Sequence, residues 1–272
     1  MRVLFLCLMA FPVSVLALPG DAIPAGQSEA QQRLEDSPRR NQLVSFKSKL
    51  GDTIQAHIAY PEGSGPAPVV VAIHGRGGWT DWVRAVADQL AAEGYIAIAP
   101  DMISGKGPGG GGTDSVDRDG AAQVVYSLTW EEIVDRVNAA ADYAMALPTA
   151  HGQFAVVGFC WGGTTTFAYA AERTDLSAGL VYYGSSPPAE VLARIQTPIL
   201  GLYGGNDNRV NVTIEPAAKE MNRLGKVYEY EVFEGAGHGF LSGQERLDGA
   251  NLAASQKGWL RTVEFLRKHL KP

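Results

Sequence analysis

The feature that most constrains the fold of this chain is a glycine-flanked turn around Cys160. Apolar residues at 154–157 predict a buried strand, the turn Gly158-Phe159-Cys160-Trp161-Gly162 follows, and small residues at 164–171 predict a helix. A strand, a G-x-C-x-G turn and a helix in this order are typical of enzymes that hold a nucleophile in a strained backbone conformation. The glycines on either side are required because a Cβ there would clash in such a turn. The alternative is a buried, unreactive cysteine on a glycine-rich turn, and the rest of the chain must decide between the two.

The length and composition of the chain indicate one large α/β domain. The 272 residues are 46% hydrophobic and 19% charged, as in an ordinary globular protein. The formal net charge of −6 does not suggest nucleic acid or an anionic membrane as a partner.

The first 17 residues predict a secretory signal peptide. Arg2 precedes a short apolar core at 3–11, and Val15-Leu16-Ala17 places small residues at positions −3 and −1 of a cleavage site. The apolar run is short for a membrane span, and an N-terminal anchor helix is the alternative. We expect a periplasmic or secreted protein that is cleaved after Ala17 and has no membrane partner after cleavage.

Cleavage would leave Cys160 as the only cysteine, because Cys7 belongs to the predicted signal peptide. A mature chain with one cysteine cannot form an internal disulfide. Cys160 is therefore either buried and inert or retained for its reactivity.

Residues 18–40 mix proline, glycine, serine, glutamine and charged residues without periodicity, which predicts a flexible leader. Residues 41–272 then form a single domain. Its first part alternates apolar and polar residues at 42–47 and 53–60, on either side of Gly51-Asp52, which predicts an antiparallel hairpin.

The pattern after the hairpin alternates buried strands with helices. Residues 69–73 and 95–99 are apolar on both faces and enclose a helix at 82–91, which predicts a right-handed β-α-β unit in a parallel sheet. A long glycine-rich loop at 102–120 follows, on the side of the sheet where α/β proteins bind ligands. Further strands are predicted at 154–157, 178–183, 198–203 and 227–233, and further helices at 129–147, 164–171, 187–194 (a short helix or a turn), 215–224 and 247–270.

Three of these strands end in glycine-rich turns that contain Cys160, Asp207 and His238. Because the carboxyl ends of parallel strands meet at one edge of a sheet, we expect the three side chains to converge there. The order nucleophile, acid, histidine is that of the α/β-hydrolase fold. In the predicted roles, His238 takes the proton of the Cys160 thiol, and Asp207 orients the imidazole and stabilises its charged form.

An oxyanion hole also needs backbone N–H groups that point at the substrate oxygen. Trp161, the residue after the nucleophile, is expected to supply one, and Arg76, in the glycine-rich turn at 74–78, the other. The Arg76 side chain could in addition steer an anionic substrate.

The other histidines and carboxylates have different interpretations. His74 opens the turn at 74–78 and is expected to form structural hydrogen bonds. Asp101 could replace Asp207 as the acid, but it precedes the nucleophile, which breaks the order. No cluster of histidine, cysteine or carboxylate side chains has metal-binding spacing, so we expect no metal. Partner motifs are lacking for His57, His151 and His269.

These motifs resemble those of the dienelactone hydrolase family of α/β-hydrolases. The resemblance runs from about Val69 to the C-terminus and rests on EGYIAIAPD at 93–101, VGFCWGG at 157–163, YGGND at 203–207 and GHGF at 237–240. It implies an α/β-hydrolase fold with helices on both faces of the sheet. It also implies that Cys160, His238 and Asp207 hydrolyse an enol lactone or a similar activated ester without a cofactor.

The chain departs from the family pattern at positions where the family carries charged side chains in its active site. The best-known members carry a glutamate after the first parallel strand that interacts with the resting cysteine, where this chain has Gly75. They also hold the substrate carboxylate with two arginines. One of these positions falls near Ser242, and Arg118 is the candidate for the other.

The sequence thus predicts an exported, monomeric hydrolase of lactones or activated carboxylic esters that forms an acyl-enzyme intermediate. One alternative is a non-catalytic binding protein on the same fold, which the missing glutamate and arginines favour. Another is a thiol redox protein, against which the lack of a second cysteine in the mature chain argues.

Overall fold

An eight-stranded sheet runs through the centre of the molecule. The computed structural model describes residues 23–63 and 65–270, and the predicted signal peptide, 1–17, lies outside them. The order of the strands in the sheet is β1-β2-β4-β3-β5-β6-β7-β8. They span Asn41–Lys47 (β1), Thr53–Ala59 (β2), Ala67–Ile73 (β3), Ile96–Pro100 (β4), Ala150–Phe159 (β5), Leu176–Tyr182 (β6), Ile199–Gly204 (β7) and Tyr228–Phe233 (β8).

The sheet is antiparallel at its N-terminal edge and parallel elsewhere. β1 pairs with β2, and β2 with β4, in antiparallel fashion. From β4 onward, through β3, β5, β6, β7 and β8, each neighbouring pair is parallel. This confirms the predicted α/β-hydrolase architecture, a mostly parallel sheet with an N-terminal antiparallel hairpin.

Helices cover both faces of the sheet. In the described chain they span Ala30–Glu35 (α1), Asp81–Ala92 (α2), Arg118–Ser127 (α3), Trp130–Met145 (α4), Trp161–Tyr169 (α5), Ala189–Leu192 (α6), Asn208–Asn211 (α7), Ile214–Arg223 (α8) and Ala250–His269 (α9). The predicted C-terminal helix forms one continuous element, α9. The helix after the Cys160 turn begins at Trp161, three residues earlier than predicted.

Alternate residues of the central strands belong to two hydrophobic cores, one on each face. Val70 and Ala72 of β3 belong to a core with α2 and α9, whereas Val69, Val71 and Ile73 belong to a core with α4 and α8. This division follows from the two-residue period of a strand, whose successive side chains point to opposite faces. A strand buried on both faces must be apolar throughout, as β3 is.

The predicted loop at 102–120 contains more regular structure than its composition indicates. Short 3₁₀ turns span Pro108–Gly110 and Thr113–Ser115, and α3 begins at Arg118, inside the predicted loop. Asp117 caps α3 by accepting a hydrogen bond from the backbone N–H of Gly120 at 2.7 Å. Ala121, Ala122 and Val125 supply its buried side. These few small apolar residues are too weak a pattern to predict a helix.

The predicted flexible leader, 18–40, is ordered over its described part, 23–40. Within it, Ala30 of α1 is fully buried, and α1 packs against α2. The Asp88 carboxylate on α2 is 1% exposed and accepts hydrogen bonds from Ser37, Arg39 and Asn41 at 2.6 to 3.1 Å. Burial raises the pKa of Asp88, but these partners outweigh burial and lower it. The sequence around 18–40 cannot reveal this contact, because the carboxylate lies about fifty residues further on.

The buried His57, on β2, should make the stability of the folded protein depend on pH. His57 is 6% exposed, and its Nε2 atom forms a hydrogen bond with the Asn41 Oδ1 atom at 2.9 Å. Burial lowers the pKa of His57 to about 4, and the positive charge of Arg84 contributes to the shift. Between pH 6.5 and 4 the unfolded chain therefore binds a proton that the folded chain does not, so stability falls with falling pH. We expect the free energy of unfolding to lose about 3 kcal/mol across this window through His57.

Urea unfolding at several pH values measures this effect. His57→Gln should remove about that much of the pH dependence, whereas the same change at the exposed His151 should leave it in place. An equal pH dependence in wild type and His57→Gln would contradict the interpretation.

Within the described residues, no helix is both long enough and apolar enough to cross a membrane.

Candidate active site

The turn between β5 and α5 holds Cys160 in a conformation that side chains rarely adopt. Its backbone angles are φ 58° and ψ −113°, and its N–H donates to the carbonyl of Tyr182 at 3.0 Å. A Cβ added at Gly158 would lie 2.0 Å from the Gly162 carbonyl oxygen, and one at Gly162 would lie 2.3 Å from that of Ile73. Only glycine fits at these two positions. The strained turn is the one that the G-x-C-x-G spacing predicts.

The turns after β7 and β8 bring Asp207 and His238 together. The Nδ1 atom of His238 lies 2.5 Å from the Oδ2 atom of Asp207. Asp207 is 7% exposed, whereas His238 is about one-third exposed and faces the cavity described below. The buried carboxylate thus fixes one ring nitrogen of the imidazole as a donor, and the other nitrogen is left for Cys160.

Three groups act on the Cys160 sulfur: the His238 imidazole and the backbone N–H groups of Trp161 and Arg76. Burial raises the pKa of the Cys160 thiol, but the hydrogen bond and charge of His238 and the two N–H groups outweigh it, and the pKa is lowered. The pKa of His238 shifts the other way. Burial lowers it, and the contacts with Cys160 and Asp207 outweigh burial and raise it. The two shifts together favour a thiolate and an imidazolium, which titrate as a pair.

The side chain missing at position 75 would stand directly beside the thiol. A Cβ at Gly75 would lie 3.4 Å from the Cys160 Cβ, an ordinary contact distance. Gly75→Glu therefore places a carboxylate next to the thiolate and should raise the pKa of Cys160. We expect its alkylation by iodoacetamide near pH 7 to slow about tenfold, the effect of one pKa unit.

Gly75→Gln is the matched control, because it adds the same length without charge. Alkylation rates for both variants, followed by mass spectrometry over a pH series, separate the effect of charge from that of bulk. Equal slowing in both variants would show that the bulk of the new side chain, and not its charge, lowers the alkylation rate of Cys160.

His74 and Asp101 have hydrogen bonds of their own. His74 is 1% exposed; its Nδ1 atom donates to the Gly75 carbonyl at 2.7 Å, and its Nε2 atom accepts from the Met102 N–H at 3.0 Å. Burial lowers the pKa of His74, so the ring is neutral. The Asp101 carboxylate binds Thr113, and the His74 Nε2 atom is 3.9 Å away. His74 thus forms the structural hydrogen bonds expected of it, and Asp207 is the carboxylate that bonds His238.

A cavity of about 600 Å³ opens above Cys160 and His238. Arg76, Arg118 and Arg246 line it, and Asp117 is the only acidic residue among the described residues in its wall. The cavity is therefore locally basic in a chain whose net charge is −6. Arg76 and Arg118, the two predicted substrate-binding residues, both line this cavity, and their contact with a substrate stays a prediction.

Sequence reasoning missed Arg246, Tyr183 and Gln27. Arg246 lies eight residues after His238, and a search of the whole loop after His238, beyond the family position at Ser242, would have found it. Tyr183, at φ 42°, follows β6 and packs its ring 5.1 Å from that of His238. Gln27 reaches the cavity from the segment that was predicted to be flexible, so its pattern gave no signal.

A second cavity, of about 680 Å³, lies between residues 23–29 and α9. Its wall includes Ile23, Trp259 and Leu260. Because Cys160 and His238 both line the first cavity, that cavity is the candidate active site.

In the part of the chain that the structure describes, no group of three or more histidine, cysteine, aspartate or glutamate side chains could hold a metal ion.

Residues 54–270 match the dienelactone hydrolase family along their whole length. The chain belongs to the dienelactone hydrolase family. This membership makes it a hydrolase of the lactone and ester class. The match spans the strands that carry the Cys160, Asp207 and His238 turns.

Curated relatives and solved structures agree with the family. A protein of Escherichia coli (strain K12) named "Putative carboxymethylenebutenolidase" is 29% identical, with 94% of this chain and 91% of the relative covered. A relative of the same name from Methylorubrum extorquens is also 29% identical, over 84% of this chain and 82% of its own length.

Two solved structures agree in fold. One, titled "Putative Dienelactone Hydrolase", from Klebsiella pneumoniae, has a TM-score of 0.75 at 24% identity and covers 85% of this chain and 99% of its own. The other, a dienelactone hydrolase-like promiscuous phosphotriesterase from metagenomic libraries, has a TM-score of 0.71 at 24% identity and covers 85% of this chain and 98% of its own. At this identity the likeness is evidence for the fold.

Proposed function

We propose that this dienelactone hydrolase-family protein cleaves a lactone or an activated carboxylic ester through Cys160, His238 and Asp207, by way of an acyl-enzyme. One observation carries the proposal: Cys160 shares a cavity with the His238 ring, which Asp207 holds. His238 and the N–H groups of Trp161 and Arg76 also lower the pKa of the Cys160 thiol. A proton acceptor and two oxyanion donors therefore meet at the only cysteine of the described chain. An inert, buried cysteine has no need of this arrangement.

In the acylation step, the Cys160 thiolate attacks the carbonyl carbon and forms a C–S bond. The carbonyl oxygen becomes negative, and the N–H groups of Trp161 and Arg76 stabilise it. When the tetrahedral intermediate collapses, the C–O bond of the ester breaks and the His238 imidazolium gives its proton to the leaving oxygen. A thioester on Cys160 and a neutral His238 remain.

In the deacylation step, neutral His238 takes a proton from water, and the resulting hydroxide attacks the thioester carbon. The C–S bond breaks, and the acid product leaves the thiolate and the imidazolium as they were before acylation. Asp207 holds the ring through its Nδ1 atom in both steps and stabilises its positive charge. No cofactor takes part.

The arginines of the cavity favour a substrate that carries a negative charge beside the ester. Arg76, Arg118 and Arg246 line the cavity together with a single acidic residue among those the structure describes, Asp117, whose carboxylate already caps α3. A carboxylate on the substrate could bind an arginine through two parallel hydrogen bonds. We therefore assign a small anionic ester or lactone as the substrate class.

A substrate panel tests the reaction directly. Small lactones, aryl esters and thioesters, with and without a carboxylate, are mixed with the enzyme at high concentration, and the first turnover is followed by rapid mixing. We expect a burst of leaving group and a mass increase on Cys160 that equals the acyl group. Full activity after complete alkylation of Cys160 by iodoacetamide would exclude the mechanism.

We further propose that the chain is exported to the periplasm or the medium, because residues 1–17 have the pattern of a signal peptide. The exported form is proposed to be a monomer. N-terminal sequencing of the exported protein should begin at Leu18. A product that stays in the cytoplasm and begins at Met1 would contradict export, and light scattering of the exported form tests the monomer.

A further inference from the structure

The turn that carries Arg76 is held in place by a loop that is distant in sequence. We call residues 75–79 the oxyanion turn, because it carries Arg76, the proposed second oxyanion donor, and because a Cβ at its Gly75 would lie 3.4 Å from the Cys160 Cβ. At its start, the Gly75 carbonyl accepts from His74 Nδ1, and the Nε2 atom of that ring accepts from the Met102 N–H. The first support of the oxyanion turn is thus a residue of the 102–120 segment.

The end of the oxyanion turn rests on the same segment through Thr113. The Trp79 N–H donates to the Thr113 Oγ1 atom at 2.9 Å, and this hydroxyl donates to the Asp101 Oδ1 atom at 2.8 Å. The Thr113 N–H donates to the Asp101 Oδ2 atom, also at 2.8 Å. Asp101 is 2% exposed, so its carboxylate is fixed at the end of β4. One hydroxyl therefore connects the oxyanion turn to a rigid part of the sheet.

Two glycines make room for this connection. Gly78 has a φ of 84°, and a Cβ there would lie 2.7 Å from the Thr113 Oγ1 and Cγ2 atoms. A Cβ at Gly112 would lie 2.1 Å from the Asp101 Oδ2 atom. The glycine run at 109–112 thus ends in a residue that must be glycine, because the Asp101 carboxylate touches the backbone there.

We propose that Thr113 is a positioning residue for the oxyanion hole: its hydroxyl sets the distance between the Arg76 N–H and the Cys160 sulfur or the substrate oxygen. This inference rests on the proposed function. Thr113 lines the cavity, but its hydroxyl is occupied by Trp79 and Asp101, so it acts through the oxyanion turn. Small displacements matter here, because a donor about 1 Å out of place can lower a rate about a hundredfold.

The test compares Thr113→Val, which removes the hydroxyl at nearly constant shape, with Thr113→Ser, which keeps it. We expect Thr113→Val to lower kcat on activated esters about 10- to 100-fold, with KM within about threefold of wild type, because the oxyanion forms only in the transition state. The Arg76 N–H also helps to lower the pKa of the resting Cys160 thiol, so the pH profile of iodoacetamide alkylation should move to higher pH. Thr113→Ser should restore both properties.

Thr197→Val is the control for the loss of a buried hydroxyl, because the Thr197 Oγ1 atom bonds the Leu176 carbonyl far from the cavity lining. It should leave kcat and the alkylation profile as in wild type. If Thr113→Val does not fold, Thr113→Ala takes its place in both measurements. Unchanged kcat and alkylation in the hydroxyl-free variant, or an equal loss in Thr113→Ser, would overturn the role of the hydroxyl.

The two assays separate this inference from the proposed function. If wild type cleaves no member of the ester and lactone panel, the proposed reaction fails, and the alkylation profile alone decides the role of Thr113. If wild type is active and Thr113→Val equals it in both assays, the reaction stands and the role of Thr113 fails.

Discussion

Replacing Cys160 with alanine is expected to lower kcat on activated esters and lactones by about 10⁴- to 10⁶-fold, the range seen when a nucleophile is removed from a triad. The sulfur is the atom on which His238, Trp161 and Arg76 converge, so its loss removes the covalent pathway entirely. Initial rates with saturating substrate measure the effect. The folded state should be retained, because the alanine Cβ already fits the turn.

Cys160→Ser is the matched variant, since it keeps a nucleophilic atom in the same turn. A serine hydroxyl is not ionised by a neighbouring imidazole as a thiol is, so we expect low but measurable activity and no reaction with iodoacetamide. Wild-type rates in Cys160→Ala would mean that another group carries the reaction, and the proposed mechanism would fail.

Asp207→Asn is expected to lower kcat about 10³- to 10⁴-fold while the protein stays folded. The Asp207 carboxylate lies 2.5 Å from the His238 Nδ1 atom and is one of the groups that raise the pKa of His238. An asparagine there removes the charge that stabilises the imidazolium. The pKa of His238 then falls, so the alkaline limb of the rate profile should move to lower pH.

A carboxylate near His238 in sequence provides the control. Glu234 is exposed and lies four residues before His238, and Glu234→Gln should leave both kcat and the pH profile unchanged. Rates measured from about pH 5 to pH 9 for the two variants and wild type make the comparison. Equal losses in both variants would assign the effect to general electrostatics and not to the bond between Asp207 and His238.

The convergence of the site could be predicted because it depends on local patterns and one rule of topology. The strands before Cys160 and Asp207 end in apolar runs, whereas the strand before His238 alternates polar and apolar residues. A glycine-rich turn follows each of them, and parallel strands carry such turns to one edge of a sheet. The G-x-C-x-G spacing also predicted the strained turn, since only glycine fits at Gly158 and Gly162. Each of these inferences needs only residues close together in sequence.

The contacts that could not be predicted join residues far apart in sequence. The Asp88 carboxylate on α2 accepts hydrogen bonds from Ser37 and Arg39, and these bonds hold residues 23–40 in place although their composition indicates flexibility. Asp101 and Thr113 hold the oxyanion turn through a glycine-rich segment that was predicted to be a loop. A buried carboxylate must accept hydrogen bonds, but the tertiary fold decides which residues donate them. The local sequence pattern therefore does not identify the donors.

The crowded glycines of the Cys160 turn bear on how this protein could be adapted to new substrates. Gly158 and Gly162 leave no room for any other side chain, so random mutagenesis there should yield mostly inactive protein. The cavity wall, in contrast, includes Gln27, Arg118 and Arg246, from three separate segments. A combinatorial library confined to these three positions would vary recognition while it leaves the reactive thiol and its partners untouched. Directed evolution of this protein can therefore start from three positions, and all combinations of residues at them are few enough to be screened completely.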